Sequence, residues 1–309
     1  MLKPVQILTL ALTALAAAVC TSSATASVAN SPFADFQYCP YNDPTIVASR
    51  GAGCVYNVTE SGSLTIGSTA LPITPPVVLQ GAVKNLGPSQ LVDAVGAPTL
   101  SSPPSKVPGG LLGIANPAPN WPFPLWQAFW SIVNSVNDVS ATLELTAPVQ
   151  ATFSNALATP VNDPTAYIAQ LNVRAKLSNP FLGDTCYIGS AQNPITITLI
   201  NWTTNPPPPN QPISGDKGTL EFVWVDQAAG INYLKVSDNT MVDNAFAVPA
   251  ASGCGNIAFG LPILTPLLDA LVSGAVNLKV GLPSAAGKNT VIMTGTSEIA
   301  SARFVRPYQ

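Results

Sequence analysis

The sequence predicts a mainly β protein, an antiparallel β-sandwich or distorted barrel carrying two short apolar helices. Three observations predict it. Several segments alternate apolar and polar residues, the pattern of a strand with one buried and one wet face. Proline, 31 of 309 residues, is about twice as frequent as usual and breaks the chain into short elements. Charged residues are 9% of the chain and apolar residues 47%, so Thr, Ser, Asn, Gln and Gly must cover much of the surface.

The chain opens with one basic residue, Lys3, followed by an uncharged apolar run from Val5 to Val19 and small or hydroxylated residues from Thr21 to Val28. These are the three parts of a secretory signal peptide. The apolar run is shorter than the roughly 20 residues a membrane-spanning helix needs. Cleavage fits after Ala26 or after Ala29, leaving residues 30–309 as a single β-rich extracellular domain. Cys20 follows Ala17-Ala18-Val19, which inverts the order expected before a lipid-modified cysteine.

Four cysteines then remain, Cys39, Cys54, Cys186 and Cys254. An even number in an exported chain points to disulfides. Of three pairings, Cys39–Cys54 with Cys186–Cys254 is favoured, one closing a local loop and the other stapling distant segments. A cysteine metal site lacks a close Cys-x-x-Cys pair and any histidine.

Residues 30–54 read as an irregular cap. Strand patterns begin at Val55, continue through Leu64 and Ile66, and resume at Val77 to Leu79. A proline-rich loop follows, Gly87 to Gly110. The segment from Pro119 to Val139 holds Trp121, Phe123, Trp126, Phe129 and Trp130, and its apolar residues recur at helical spacing from Leu125 to Val139. It reads as an amphipathic helix near 121–139. Strands are expected at 141–146, 171–177, 195–199, 276–282, 290–294 and 302–305. Thr219 to Val225 and Ile231 to Val236 form a hairpin around Asp226 to Gly230. Pro206 to Pro209 is a stiff extended loop. Leu264, Leu267, Leu268, Leu271 and Val272 follow helical spacing, giving a second short helix near 257–272.

The absence of histidine excludes Ser-His-Asp and Cys-His mechanisms and His-bound zinc. The Ser-x-x-Lys spacing of Ser214-Gly-Asp-Lys217 lies between a polyproline loop and a strand, and reads as a turn rather than a catalytic dyad. Gly281 to Thr290 has the wrong glycine spacing for a phosphate loop, and Asn289 stands where a hydroxyl belongs. Asp238-Asn239 and Asp243-Asn244 suit Asx turns; Asp238 and Asp243 are also a weak calcium candidate. Asn57-Val-Thr59 and Asn201-Trp-Thr203 match the glycosylation sequon but read as strand residues. No cofactor is expected. With a net charge of −3 and no basic cluster, neither nucleic acid nor an anionic membrane is an expected partner.

Cys54-Val-Tyr, Gly62 to Gly67, Val107 to Gly113, Asn179 to Gly189, Pro206 to Pro209, Val242 to Phe246 and Gly253-Cys-Gly255 occur in this order. The set resembles a group of uncharacterised secreted proteins of actinobacteria. The resemblance implies export and says nothing about catalysis.

The expected function is therefore that of an exported, non-enzymatic structural, adhesive or binding protein of the cell surface or extracellular space. The aromatic residues at 121–130 either plug the core or form a patch for a partner. One alternative is a carrier of a lipid or other hydrophobic small molecule held between the sheet and the helices at 121–139 and 257–272, which needs an enclosed apolar cavity of roughly a few hundred Å³. Another is a carboxylate-dependent extracellular hydrolase, although nothing singles out a pair of acids.

Overall fold

A computed structural model describes residues 31–74, 76–110, 137–157, 165–255 and 265–309. Residues 1–29, read as a signal peptide, the aromatic residues at 121–130 and residues 257–264 of the expected second helix lie outside the described residues.

In chain order the strands are β1 (Gly53–Ile66), β2 (Thr69–Pro72), β3 (Val77–Val83), β4 (Ser89–Gln90), β5 (Val92–Asp93), β6 (Leu100–Ser101), β7 (Ser105–Lys106) and β8 (Ser140–Leu145). There follow β9 (Gln150–Ala151), β10 (Ala169–Ser178), β11 (Tyr187–Ile188), β12 (Ile195–Leu199), β13 (Thr219–Asp226), β14 (Ile231–Asp243), β15 (Ala251–Ser252) and β16 (Thr290–Ser301). The helices are α1 (Pro44–Val47), α2 (Phe153–Leu157), α3 (Thr265–Val280) and α4 (Ala302–Val305).

The strands make two antiparallel sheets that pack face to face, the expected sandwich; the sheets do not close into a barrel. The first sheet has the order β13-β14-β16-β1-β3-β5, with β2 beside β1 and β6 beside β3. The second is built on β10, which pairs with β8 and β9 on one side and with β11 and β12 on the other. Alternation drives this arrangement. In β10 the residues Ala169, Leu171, Val173, Ala175 and Leu177 are all buried, and the residues between them face outward. Those buried residues meet Val55, Leu64, Ile66, Leu79 and Val291 of the first sheet in one apolar core.

The first sheet is covered on its other face as well. Phe33, Phe36, Ile46, Ala302 and Val305 form a second buried cluster against Cys54, Ala82 and Ala300. This is the expected N-terminal cap, joined there by the C-terminal turn. Asp43 starts α1 by accepting from the Thr45 N–H at 2.8 Å, and Pro44 occupies the first turn. Cys39–Cys54 pins the cap to β1, and Cys186–Cys254 ties the start of β11 to the segment after β15. Both bridges follow the favoured pairing.

Two segments differ from expectation. Val276 to Leu282 alternates like a strand, yet α3 continues through Val280. A strand would bury Leu278 together with Val276; instead Val276 is 5% exposed and Leu278 is 87% exposed. Val272, Val276 and Val280 pack toward the core while Leu278, two positions from Val276, points away, which is the geometry of a helix and not of a strand. The chain then turns at Gly281, whose positive φ of 78° suits a helix C-terminus. The last strand also differs. It runs unbroken from Thr290 to Ser301, and Ala302 to Val305 is a helical turn burying Ala302 and Val305 at a spacing of three. Gly295 falls inside that strand because a Cβ there would collide with the Val58 carbonyl oxygen.

Candidate functional site

The inner faces of the two sheets do not meet everywhere. Between them lie two adjoining hollows. The first, of about 80 Å³, is lined by Val55, Leu79 and Ile299 of the first sheet, Ile168 and Ala169 of the second, and Phe153 of α2, among others. The second, of about 100 Å³, lies toward Leu64, Ile66, Ala175 and Leu177, and Val280 of α3 forms part of its wall. Val77, Leu100, Leu171, Leu199 and Met293 line both hollows. Each is smaller than the several hundred Å³ that encloses a whole drug-sized ligand. They match in scale the apolar cavities that take up a benzene ring or a xenon atom.

The strand register explains where the first hollow opens. Leu79, Asn57, Ser297, Val236 and Leu220 stand in one row across β3, β1, β16, β14 and β13. Val55, Ile299, Leu234 and Phe222 make the next row. The second sheet covers the middle of these rows and leaves the hairpin end bare. Leu220, Phe222 and Trp224 are 46%, 58% and 51% exposed. Leu220, Leu234 and Val236 line the first hollow, so the bare apolar ladder of the hairpin continues directly into it. The exposed Lys217 stands where hollow and solvent meet.

The polar lining is uneven. The first hollow has Asn57, Thr59, Asn201, Asn239 and Ser297 in its walls besides Lys217. Asn57 Nδ2 donates to Ser297 Oγ at 2.7 Å, and Asn239 Nδ2 donates to the same oxygen at 3.2 Å. Asn201, next to the Ile200–Val242 bridge to β14, donates from Nδ2 to the Ala156 carbonyl at 3.1 Å. Asn201 Oδ1 is buried and has no hydrogen-bond partner. Gly215 packs on the Asn201 backbone so closely that a Cβ there would lie 2.7 Å from Asn201 Cα. In the second hollow the polar side chains are Thr69, Ser102 and Ser105.

Neither Asn57 nor Asn201 was singled out by its chemistry in the sequence. Both head a sequon, yet they are 8% and 6% exposed and face the hollow, not solvent. The available signal was an asparagine at an inward position of an otherwise apolar alternation. The five aromatic residues at 121–130 lie outside the described residues. Exposed aromatics occur instead on β13, which pattern alone marked as an ordinary hairpin strand.

The remaining candidates resolve into structural roles. Asp238 and Asp243, the calcium candidate, both lie on β14. They are five positions apart on β14, about 16 Å along a strand. Asp238 takes a left-handed φ of 56° at the irregularity between Val236 and Asn239. Asp243 accepts from the Thr198 and Ala245 N–H groups at 2.6 and 2.8 Å, tying β12 to β14. Burial raises its pKa despite those two donors, which pull the other way. Among the described residues no cluster of three or more acidic or cysteine side chains is placed to hold a metal.

Ser214 Oγ lies 2.8 Å from Thr203 Oγ1, and Asp216 Oδ1 accepts from the Gly218 N–H. The segment is a turn between short bridges, so Lys217 is not one helical turn from Ser214. Asn289, in the rejected phosphate loop, is fully buried. It donates to the Phe246 and Ala285 carbonyls and accepts from the Gly67 N–H.

Two further carboxyl settings stand out. Glu298, 3% exposed on the outer face of β16, pairs with Lys235 at 3.3 Å. Burial raises its pKa, the neighbouring Asp35 adds to the rise, and Lys235 opposes it. An open surface cleft of about 520 Å³ is lined by both Asp93 and Glu144. Asp93 accepts from Thr99 Oγ1 at 2.9 Å, and Glu144 is held by Arg174 at 2.8 Å. Among the described residues no helix is long and apolar enough to cross a membrane.

No protein-family model, curated protein or solved structure matches the chain.

Proposed function

We propose that this is an exported binding protein that takes an apolar molecule, or the alkyl chain of a larger one, between its two sheets. One observation carries the reading. The two aliphatic hollows share Val77, Leu100, Leu171, Leu199 and Met293, and the first opens onto an uncovered apolar ladder. Their size suits a thin chain that threads both hollows and lies partly along Leu220, Phe222 and Trp224. Burial of each methylene contributes about 0.8 kcal/mol, so even a short chain gives useful affinity. The role is one of binding rather than catalysis. Asp93 and Glu144 share an open cleft, but each is engaged by a neighbour, which supports a structural role for both.

Mass spectrometry of an organic extract of the mature protein, purified from a secreting host, tests this. An apolar compound in about equimolar amount is expected. Leu100→Trp, which fills the junction of the hollows, is expected to lose it. An extract without such a compound, from protein that also fails to bind added alkane, overturns the reading.

A second reading has its own observation. The bare ladder of β13 suits adhesion to an apolar surface. Replacing Phe222 and Trp224 by Ser then abolishes surface adsorption and leaves binding of a small alkane intact. Unchanged adsorption would sink it.

A further inference from the structure

The two hollows are not chemically equal. The second is lined almost wholly by aliphatic groups, whereas the first has a neutral polar band. Within that band two hydrogen-bonding positions are left open. Ser297 Oγ already accepts from Asn57 Nδ2 and from Asn239 Nδ2, which occupies both lone pairs. Its own O–H remains a donor. In the lining of the same hollow, the Asn201 amide is oriented by the bond from its Nδ2 to the Ala156 carbonyl. Its Oδ1 is buried without a partner, an arrangement that costs stability unless something supplies a donor.

We infer that the ligand is a neutral amphiphile bearing a hydroxyl group, a long-chain alcohol in chemical class, with the hydroxyl in the first hollow and the chain reaching into the second. A hydroxyl accepts and donates at once. It accepts a hydrogen bond from the Ser297 O–H and donates one to Asn201 Oδ1. A carboxylate would supply no donor to Asn201, and a pure hydrocarbon would leave both positions unmet. This deepens the proposed function and rests on it.

Calorimetric titration of the mature protein with octan-1-ol, its methyl ether and nonane tests the inference. The ether accepts but cannot donate; nonane does neither. The alcohol is expected to bind about tenfold more tightly than the ether, since a buried acceptor regains its partner. The ether is expected to bind more tightly than nonane. Asn201→Leu is expected to erase the alcohol–ether ratio. Ser297→Ala is expected to erase the ether–nonane ratio. That variant leaves the two amides other acceptors, because Asn57 also reaches the Thr296 carbonyl and Asn239 the Val236 and Gly295 carbonyls. Equal affinity for all three in the wild-type protein overturns the inference and leaves the binding function standing. Ratios that survive both substitutions overturn it as well. If none of the three binds, the binding function itself fails, and the inference with it.

Discussion

The two disulfides close loops of very different length, and that difference has a measurable consequence. Cys186–Cys254 spans 68 residues and Cys39–Cys54 spans 15. The loops do not overlap in sequence, so their effects on the unfolded chain are independent. The chain-entropy relation gives about 4.4 kcal/mol for the longer loop at 25 °C and about 3 kcal/mol for the shorter. All four sulfurs are buried, at 5% exposure or less, so replacement by Ala disturbs comparable surroundings. The Cys186→Ala/Cys254→Ala variant is therefore expected to lose about 1.3 kcal/mol more than Cys39→Ala/Cys54→Ala. The four-site variant is expected to lose about the sum, roughly 7 kcal/mol, which approaches the whole stability of an ordinary domain. Urea unfolding at 25 °C without reductant measures these losses. Unfolding slopes should rise in each variant, because an uncrosslinked chain exposes more surface. A larger loss from removing the short-loop bridge would refute the entropic reasoning and place the main effect in native packing.

Glu298 and Asp243 give the protein an unusual pH response. Both carboxyls are held above their ordinary pKa by burial. The folded protein thus keeps protons that the unfolded chain has released, and stability falls as pH rises from the ordinary carboxylate range through the raised folded values. No histidine titrates in the same region to obscure this. Glu298→Gln is expected to flatten the decline in urea midpoint between pH 4 and pH 7; an unchanged slope would contradict the assignment. Asn289→Ala is expected to cost about 3 kcal/mol, since two buried carbonyls and the Gly67 N–H lose their partner. A thermal melt shifted by less than about 2 °C would show that these groups find other partners.

Much of the fold was legible because period-two alternation is what a half-buried strand requires. The strand at 195–199 matches its expected bounds, and those at 141–146 and 171–177 shift by no more than two residues. The hairpin turn at Asp226 to Gly230 was equally plain. The misreadings share a cause. Val276 to Leu282 alternates like a strand. Val272, Val276 and Val280 fall on one side in a strand and in a helix alike, and the competition is settled by Leu278, which a strand would bury with them and a helix turns to solvent. The strand expected to end at Thr294 runs on through Gly295, a glycine there because β1 approaches too closely for a side chain. The candidate site was less legible, since its two hollows arise from where two sheets fail to meet. No single segment encodes that space. Asn57 and Asn201 stand 144 positions apart in the sequence, one within β1 and the other just past the end of β12.

The central claim is that the space between the sheets is apolar, unfilled and accessible. Diffraction from crystals of the protein, stripped of any co-purified apolar compound and pressurised with xenon, tests it most directly, because xenon enters dry cavities of this size. The account predicts xenon in both hollows, on either side of the junction formed by Leu100, Leu171 and Met293. Side chains packed across that junction, with xenon bound at the protein surface alone, would contradict it.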